Sequence, residues 1–364
     1  MPDAPAEPDV LIEQRDRIGL ITLNRPRAIN ALNHGMVDEI AAVLEQWRAD
    51  ESVHAVVLTG SGDRGFCAGG DVVAIYRDAL AARQGQGGGE AQRFWRDEYV
   101  LDAAIARYPK PVVALMDGIV LGGGIGLAAH ASHRIVTETS SLGLPETTIG
   151  FVPDVGGTYL LSRAPGQLGT HLALTADSMD GATAIALGFA DRMIERADIP
   201  TLIDALIAAP TLSGGDVDAV IDRFAKEPPT SALLADRAWI DEAYSADTVG
   251  EILDRLGALG TPQAVSAAET ILRKSPIAVC VTLESLRRAA FLGSLEEVLD
   301  QEFRVSTRSL LWPDIVEGIR AQVVDKDRNP QWNPARLHDV DPAMINACFA
   351  PLGAAELGLA ARAR

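Results

Sequence analysis

The sequence predicts an α/β core followed by an all-helical C-terminal region. Three observations carry this. Short apolar, β-branched runs alternate with segments at helical spacing over residues 9–200, the pattern of strand–helix crossovers. Glycine-bearing turns at Gly65–Asp71 and Gly118–Gly126 follow two of the runs. After about Pro200 the strand signal ends, and the chain reads as helix to about Val324, punctuated by Pro228-Pro229, Gly260, Pro262 and Pro276.

Taken in order, residues 1–8 are polar and Pro-rich and read as disordered. Val10–Glu13 and Ile18–Leu23 are β-rich and parted by the polar Gln14–Arg17, which suits a hairpin. Met36, Ile40, Val43, Leu44 and Trp47 form one apolar helical stripe. Ala55–Thr59 reads as a buried strand ending in the loop Gly60–Gly65. Gln84–Gly89 is a flexible loop, and Phe94–Ile105 is helical. Pro111 opens a buried strand, Val112–Met116. The glycines of Gly118–Gly126 lead into a helix over Leu127–Ala131, and Ile135–Thr137 is a further strand. The core is thus set at residues 9–200, the helical region at 201–350 and a frayed tail at 351–364.

The net charge is −18, from 32 basic and 50 acidic residues. Such a surface repels nucleic acid, and a polyanionic ligand must be held by a few local basic groups and backbone N–H groups. The cysteines Cys67, Cys280 and Cys348 show no paired spacing, which indicates a reducing compartment. The N-terminus has no signal-peptide pattern, and no apolar run approaches the ~20 residues that span a bilayer. The expectation is a soluble, cytoplasmic protein with no membrane partner.

The segment Gly122–Ala129 follows a strand and opens a helix. Bare N–H groups there could hold a developing anion; close packing of helix on sheet also wants glycine. A dinucleotide turn is disfavoured, because Asp117–Leu121 separates these glycines from their strand and they come late in the chain. Gly69-Gly70 lets backbone approach a ligand closely, while Asp71 suits an N-cap. Cys67 reads as a small apolar residue. Glu146 and Asp154 stand among apolar and turn residues, where a carboxylate is expensive unless paired or functional; capping is the competing reading for Asp154. His130 and His133 lack a third ligand nearby, so no metal is expected. No G-x-S-x-G is present.

Six motifs occur in one order: Leu23–Leu32, Gly65–Asp71, Lys110–Ala114, Gly118–Leu127, Leu144–Gly150 and Pro153–Gly157. This series resembles the enoyl-CoA hydratase/isomerase (crotonase) superfamily. Arg96–Tyr99, Leu144–Thr147, Phe151–Gly157 and a tail with Ser275-Pro276, Glu302–Arg304, Glu317–Ala321 and Asp325–Asp327 resemble its 3-hydroxyisobutyryl-CoA hydrolase branch. The resemblance implies a crotonase-like spiral of ββα turns with a helical C-terminal region. It implies an oxyanion hole from the N–H groups of Gly70 and Gly123, and catalytic roles for Glu146 and Asp154. Glu98 would contact substrate, Ala28 and Ala68 the CoA adenine region, and Arg27 the CoA phosphates. No separate cofactor is implied, since CoA is part of the substrate. Assembly is left open between a homo-oligomer and a tail that covers its own core.

One departure separates the branches. The hydratases resembled here carry a second catalytic Glu at the position of Gly126. Its loss and the presence of Asp154 point to acyl-CoA thioester hydrolysis, with 3-hydroxyisobutyryl-CoA of valine degradation as the expected substrate. Hydration or isomerisation on the same fold is the alternative, and a non-catalytic CoA-binding protein a remote one.

Overall fold

The computed structural model describes residues 7–85 and 88–362. Most of the N-terminal segment read as disordered, the middle of the Gln84–Gly89 loop and the last two tail residues lie outside the described residues.

Strands β1 (Val10–Arg15) and β2 (Ile18–Leu23) form the hairpin. Gln14 and Arg15, expected in the turn, extend β1; an edge strand with a solvent face tolerates polar side chains. Helix α1 (His34–Ala49) carries the expected stripe and is capped by the Asn33 side chain. β3 (Ala55–Gly60) then leads to α2 (Val72–Arg83), whose N-cap is Asp71, and to α3 (Glu90–Ala106). β4 (Val112–Met116) and β5 (Ile119–Leu121) precede α4 (Gly123–Ala129). β6 (His133–Thr137), β7 (Ser141–Gly143), β8 (Met179–Asp180) and β9 (Arg192–Ile194) follow.

The large sheet has the order β1-β2-β3-β4-β6-β9 and is parallel from β2 onward. Alternation along each strand divides its side chains between two cores. Ile18, Leu20, Ala55, Val57, Val113 and Leu115 face helices Ile199–Ile207 and Gly214–Ile221. Ile21, Leu23, Val56, Leu58, Ala114 and Met116 face the larger core, built with α1, α3, α4 and the tail helices. A second sheet, β5-β7-β8, was not anticipated, because strands of two or three residues are too short to show a period. The successive strand–strand–helix turns make a crotonase fold.

The helix expected over Leu127–Ala131 starts earlier, at Gly123, after Gly122 at φ 47°. The tail helices Pro276–Ala289, Leu295–Ser309 and Pro313–Ile319 return onto the core; the second packs on α3 and the third on α2. Among the described residues, no helix is long and apolar enough to cross a membrane.

Candidate active site

Helix α3 presents Trp95, Glu98, Tyr99 and Asp102 on its buried face, at the spacing of a helical stripe. Two acids therefore occupy core positions. Glu98 is buried, and its Oε1 has no hydrogen-bond partner among the described residues. Asp102 is fully buried, and both its carboxyl oxygens lack partners. Trp95 stacks on Phe151, with ring centroids 5.1 Å apart, and so ties α3 to the segment that carries the other acids.

Glu146 opens a single 3₁₀ turn, Glu146–Ile149, separated from β7 by two residues. It is buried, with Oε2 unpartnered. Its Oε1 would lie 3.0 Å from a Cβ on Gly122, so it faces the glycine turn. Asp154 lies in the loop before helix Gly157–Leu161. Capping does not explain it: the backbone oxygen accepts from Gly157, while side-chain Oδ2 accepts from the Tyr99 hydroxyl at 2.6 Å.

Glu98, Glu146 and Asp154 line one cavity of about 210 Å³ together with Ala68, Gly70 and Gly123. The N–H of Gly123 is in the first turn of α4, where no acceptor lies one turn back. Near Gly70, the bridge to Leu32 runs through Gly69 O (2.8 Å) and Asp71 N (2.7 Å), leaving the Gly70 N–H outside it. Two backbone donors thus border the same cavity as three acids. A Cβ on Gly123 would stand 2.3 Å from Glu98 Oε1, so only glycine lets this acid approach the turn. Ile75 of α2 and Ile315 and Ile319 of the tail close the apolar wall.

Arg27 and Ala28 do not line this cavity; they are exposed, in a 3₁₀ turn at Pro26–Ala28. That turn is tied to the cavity wall, since Ala68 N–H donates to Ile29 O at 2.9 Å. Cys67 is fully buried, and burial pushes its thiol up to about 12, so it stays a thiol. His130 is held neutral by burial, its pKa lowered to about 4, and its Nε2–H donates to Val155 O at 2.9 Å. Among the described residues, three side chains that could hold a metal converge at His34, Asp38 and Asp97, none of which lines the cavity.

Sequence reasoning passed over four residues. Asp102 was detectable one turn beyond Glu98 on the same face. Tyr99 and Glu302 stood inside recognised motifs without a role. Ser306 carried no signal. Glu302, from the helix Leu295–Ser309, accepts from Gly156 N–H (2.7 Å), Thr158 N–H (2.9 Å) and the Thr158 hydroxyl (2.6 Å), so it secures the loop after Asp154. Gly126 is the informative glycine. A Cβ there would meet Asp102 Oδ2 at 2.7 Å, Oδ1 at 2.8 Å and Val155 Cβ at 2.8 Å. The room a side chain at 126 would need is filled by a carboxyl from α3.

Electrostatically the site is a cluster of acids with few compensating donors. Burial raises Glu98, Asp102 and Glu146 well above the carboxylate range; neighbouring charge adds to this, from Asp154 on Glu98 and Glu146 and from Glu98 on Asp102. Burial raises Asp154 to about 7, against the Tyr99 hydrogen bond, and Glu302 to about 8, against its three donors. An acid raised by folding binds its proton more tightly in the folded state than in the unfolded one. Its contribution is favourable below the unfolded pKa of about 4 and is lost as pH rises through the folded value. The melting temperature is therefore expected to fall between pH 5.5 and pH 8.5 in a thermal denaturation series. Asp102→Asn, which cannot ionise, should flatten that fall; an unaltered slope would mean that Asp102 is already ionised in the folded state across this range.

A model of the family described as enoyl-CoA hydratase/isomerase matches residues 18–349. The chain is 37% identical over 357 residues to 3-hydroxyisobutyryl-CoA hydrolase, mitochondrial, of Gallus gallus, covering 96% of this chain and 91% of that protein. It is 36% identical to the Homo sapiens protein of the same name, covering 97% and 91%. Among solved structures it is similar to one titled a carnitinyl-CoA dehydratase from Mycobacterium thermoresistibile, at 53% identity and TM-score 0.89, covering 95% of this chain and 97% of that one. Another, titled an enoyl-CoA hydratase from Rhodobacter sphaeroides, matches at 43% identity and TM-score 0.88, covering 96% and 99%. The cytoplasmic expectation is corrected by the relatives' names, which point to the mitochondrion. With the family match spanning most of its length, the chain belongs to the enoyl-CoA hydratase/isomerase family.

Proposed function

We propose that this protein is a thioester hydrolase that converts 3-hydroxyisobutyryl-CoA and water to 3-hydroxyisobutyrate and CoA. The observation that carries the reading is the pairing of Glu146 with Asp154 on a cavity bordered by Gly70 and Gly123, while Asp102 fills the side-chain space of residue 126. The relatives named as hydrolases support it. The titles of the two structural neighbours favour hydration instead, but a second acid projecting from residue 126 has no room here.

The thioester carbonyl oxygen takes the Gly70 and Gly123 N–H groups as the tetrahedral intermediate develops. Losing one such donor typically costs ~3–4 kcal/mol. Glu146, in its ionised form, acts by one of two routes. As base it removes a proton from water; as nucleophile it forms an anhydride that water then opens. Either way a C–O bond forms, the C–S bond breaks, and the departing thiolate takes a proton. Asp154, raised to about 7, exchanges protons close to neutral pH, which suits acid–base work there. Glu98 and Asp154 offer buried polar partners to the substrate's 3-hydroxyl. The chemistry needs no group beyond water and these residues, CoA being part of the substrate; Arg27, exposed on its turn, is the basic group assigned to the CoA phosphates.

The test is release of free thiol from 3-hydroxyisobutyryl-CoA, with crotonyl-CoA alongside. Thiol release from the first alone is expected. Loss of the crotonyl double bond without thiol release would make the protein a hydratase, and tight binding without turnover of either would make it a CoA-binding protein.

A further inference from the structure

Asp154 reaches the cavity from a loop, and a loop carboxylate acts reproducibly only if other groups fix its direction. The Tyr99 hydroxyl donates to Asp154 Oδ2 at 2.6 Å. A tyrosine has one hydroxyl proton, so the 2.8 Å contact between that oxygen and Ser306 Oγ is a bond donated by Ser306. Ser306 is fully buried on the helix Leu295–Ser309. One turn earlier on that helix, Glu302 holds the N–H groups of Gly156 and Thr158. The side chain of Asp154 and the backbone after it are therefore gripped by one helix that lies outside the strand–helix core.

We infer that Tyr99 and Ser306 are positioning residues for Asp154, and that the helix Leu295–Ser309 completes the active site by fixing this carboxylate's direction; the inference deepens the hydrolase reading and rests on it. With Oδ2 committed to Tyr99, Oδ1 is the oxygen left for substrate or water. The titratable groups around Asp154 are Glu98, Tyr99 and Asp102 from α3, Glu146 from the 3₁₀ turn, Glu302 from the tail helix, and the neutral His130, which bonds Val155 O. Burial opposes ionisation of Asp154, whereas the Tyr99 hydrogen bond favours it. Removing that donor moves the protonation of Asp154 to higher pH, which a merely structural contact would not do.

Two measurements test this on the full chain. In difference infrared titration, the protonated-carboxyl band that disappears in Asp154→Asn marks Asp154 without any substrate. In Tyr99→Phe this band is expected to titrate about one pH unit higher than in wild type, with a smaller rise in Ser306→Ala and recovery in Ser306→Thr. The kcat/KM limb lost in Asp154→Asn should shift by the same amount. A band that titrates at the wild-type pH in both variants, with activity lowered evenly across pH, would overturn the inference. Should Tyr99→Phe fail to fold, Ser306→Ala carries the test. If wild-type protein releases no thiol, the hydrolase reading fails by itself, and the infrared titration still decides whether Tyr99 and Ser306 govern Asp154.

Discussion

Glu146→Gln is expected to lower kcat for thioester hydrolysis by about 10³-fold while leaving KM nearly unchanged, within the range of positioned acid–base groups. That ratio corresponds to about 4 kcal/mol of transition-state stabilisation. The amide keeps the shape of the side chain, so the Gly122 turn should stay as it is, with Gln in the place of the Oε1 that faces it. What is lost is the carboxylate that deprotonates water or attacks the carbonyl. Thiol release at saturating substrate measures the first number and its substrate dependence the second. Full activity in this variant would remove Glu146 from the chemistry and with it the proposed mechanism.

Gly126→Glu is expected to give no hydratase activity and to lower stability by roughly 3 kcal/mol or more, because it overpacks a filled site and adds a carboxyl to a buried acid cluster. The new Cβ would meet both Asp102 oxygens and Val155 at under 3 Å. Crotonyl-CoA double-bond loss reads the first effect, and thermal denaturation reads the second. A stable variant that hydrates crotonyl-CoA would show that α3 yields easily, and that the residue at 126 alone separates the two chemistries.

Much of this was legible in the residues. Met36–Trp47 showed its helix because an amphipathic stripe records which side is buried. Val112–Met116 showed its strand because a short apolar run between punctuating residues has few other homes. The six motifs located Gly70, Gly123, Glu146 and Asp154, and the stretch Arg96–Tyr99 located Glu98; the structure places all five on one cavity. The start of α4 was read late because glycines carry little helical signal, although here they fill its first turn. Asp102 was missed for the opposite reason: an acid at a core position of a helix breaks the pattern that periodicity looks for.

By itself the sequence determined the alternation of strand and helix, the change to a helical tail, the family, and the two acids beside the glycine turns. These are local matters, set by side-chain period, turn chemistry and short motifs. Only the tertiary structure decided that Asp102 occupies the space of residue 126, that Tyr99 donates to Asp154, and that Ser306 and Glu302 reach back from the tail to hold that acid and its loop. Those contacts join residues far apart in the chain. Each depends on which helix faces meet and how closely their backbones approach, and no stretch of sequence records that meeting.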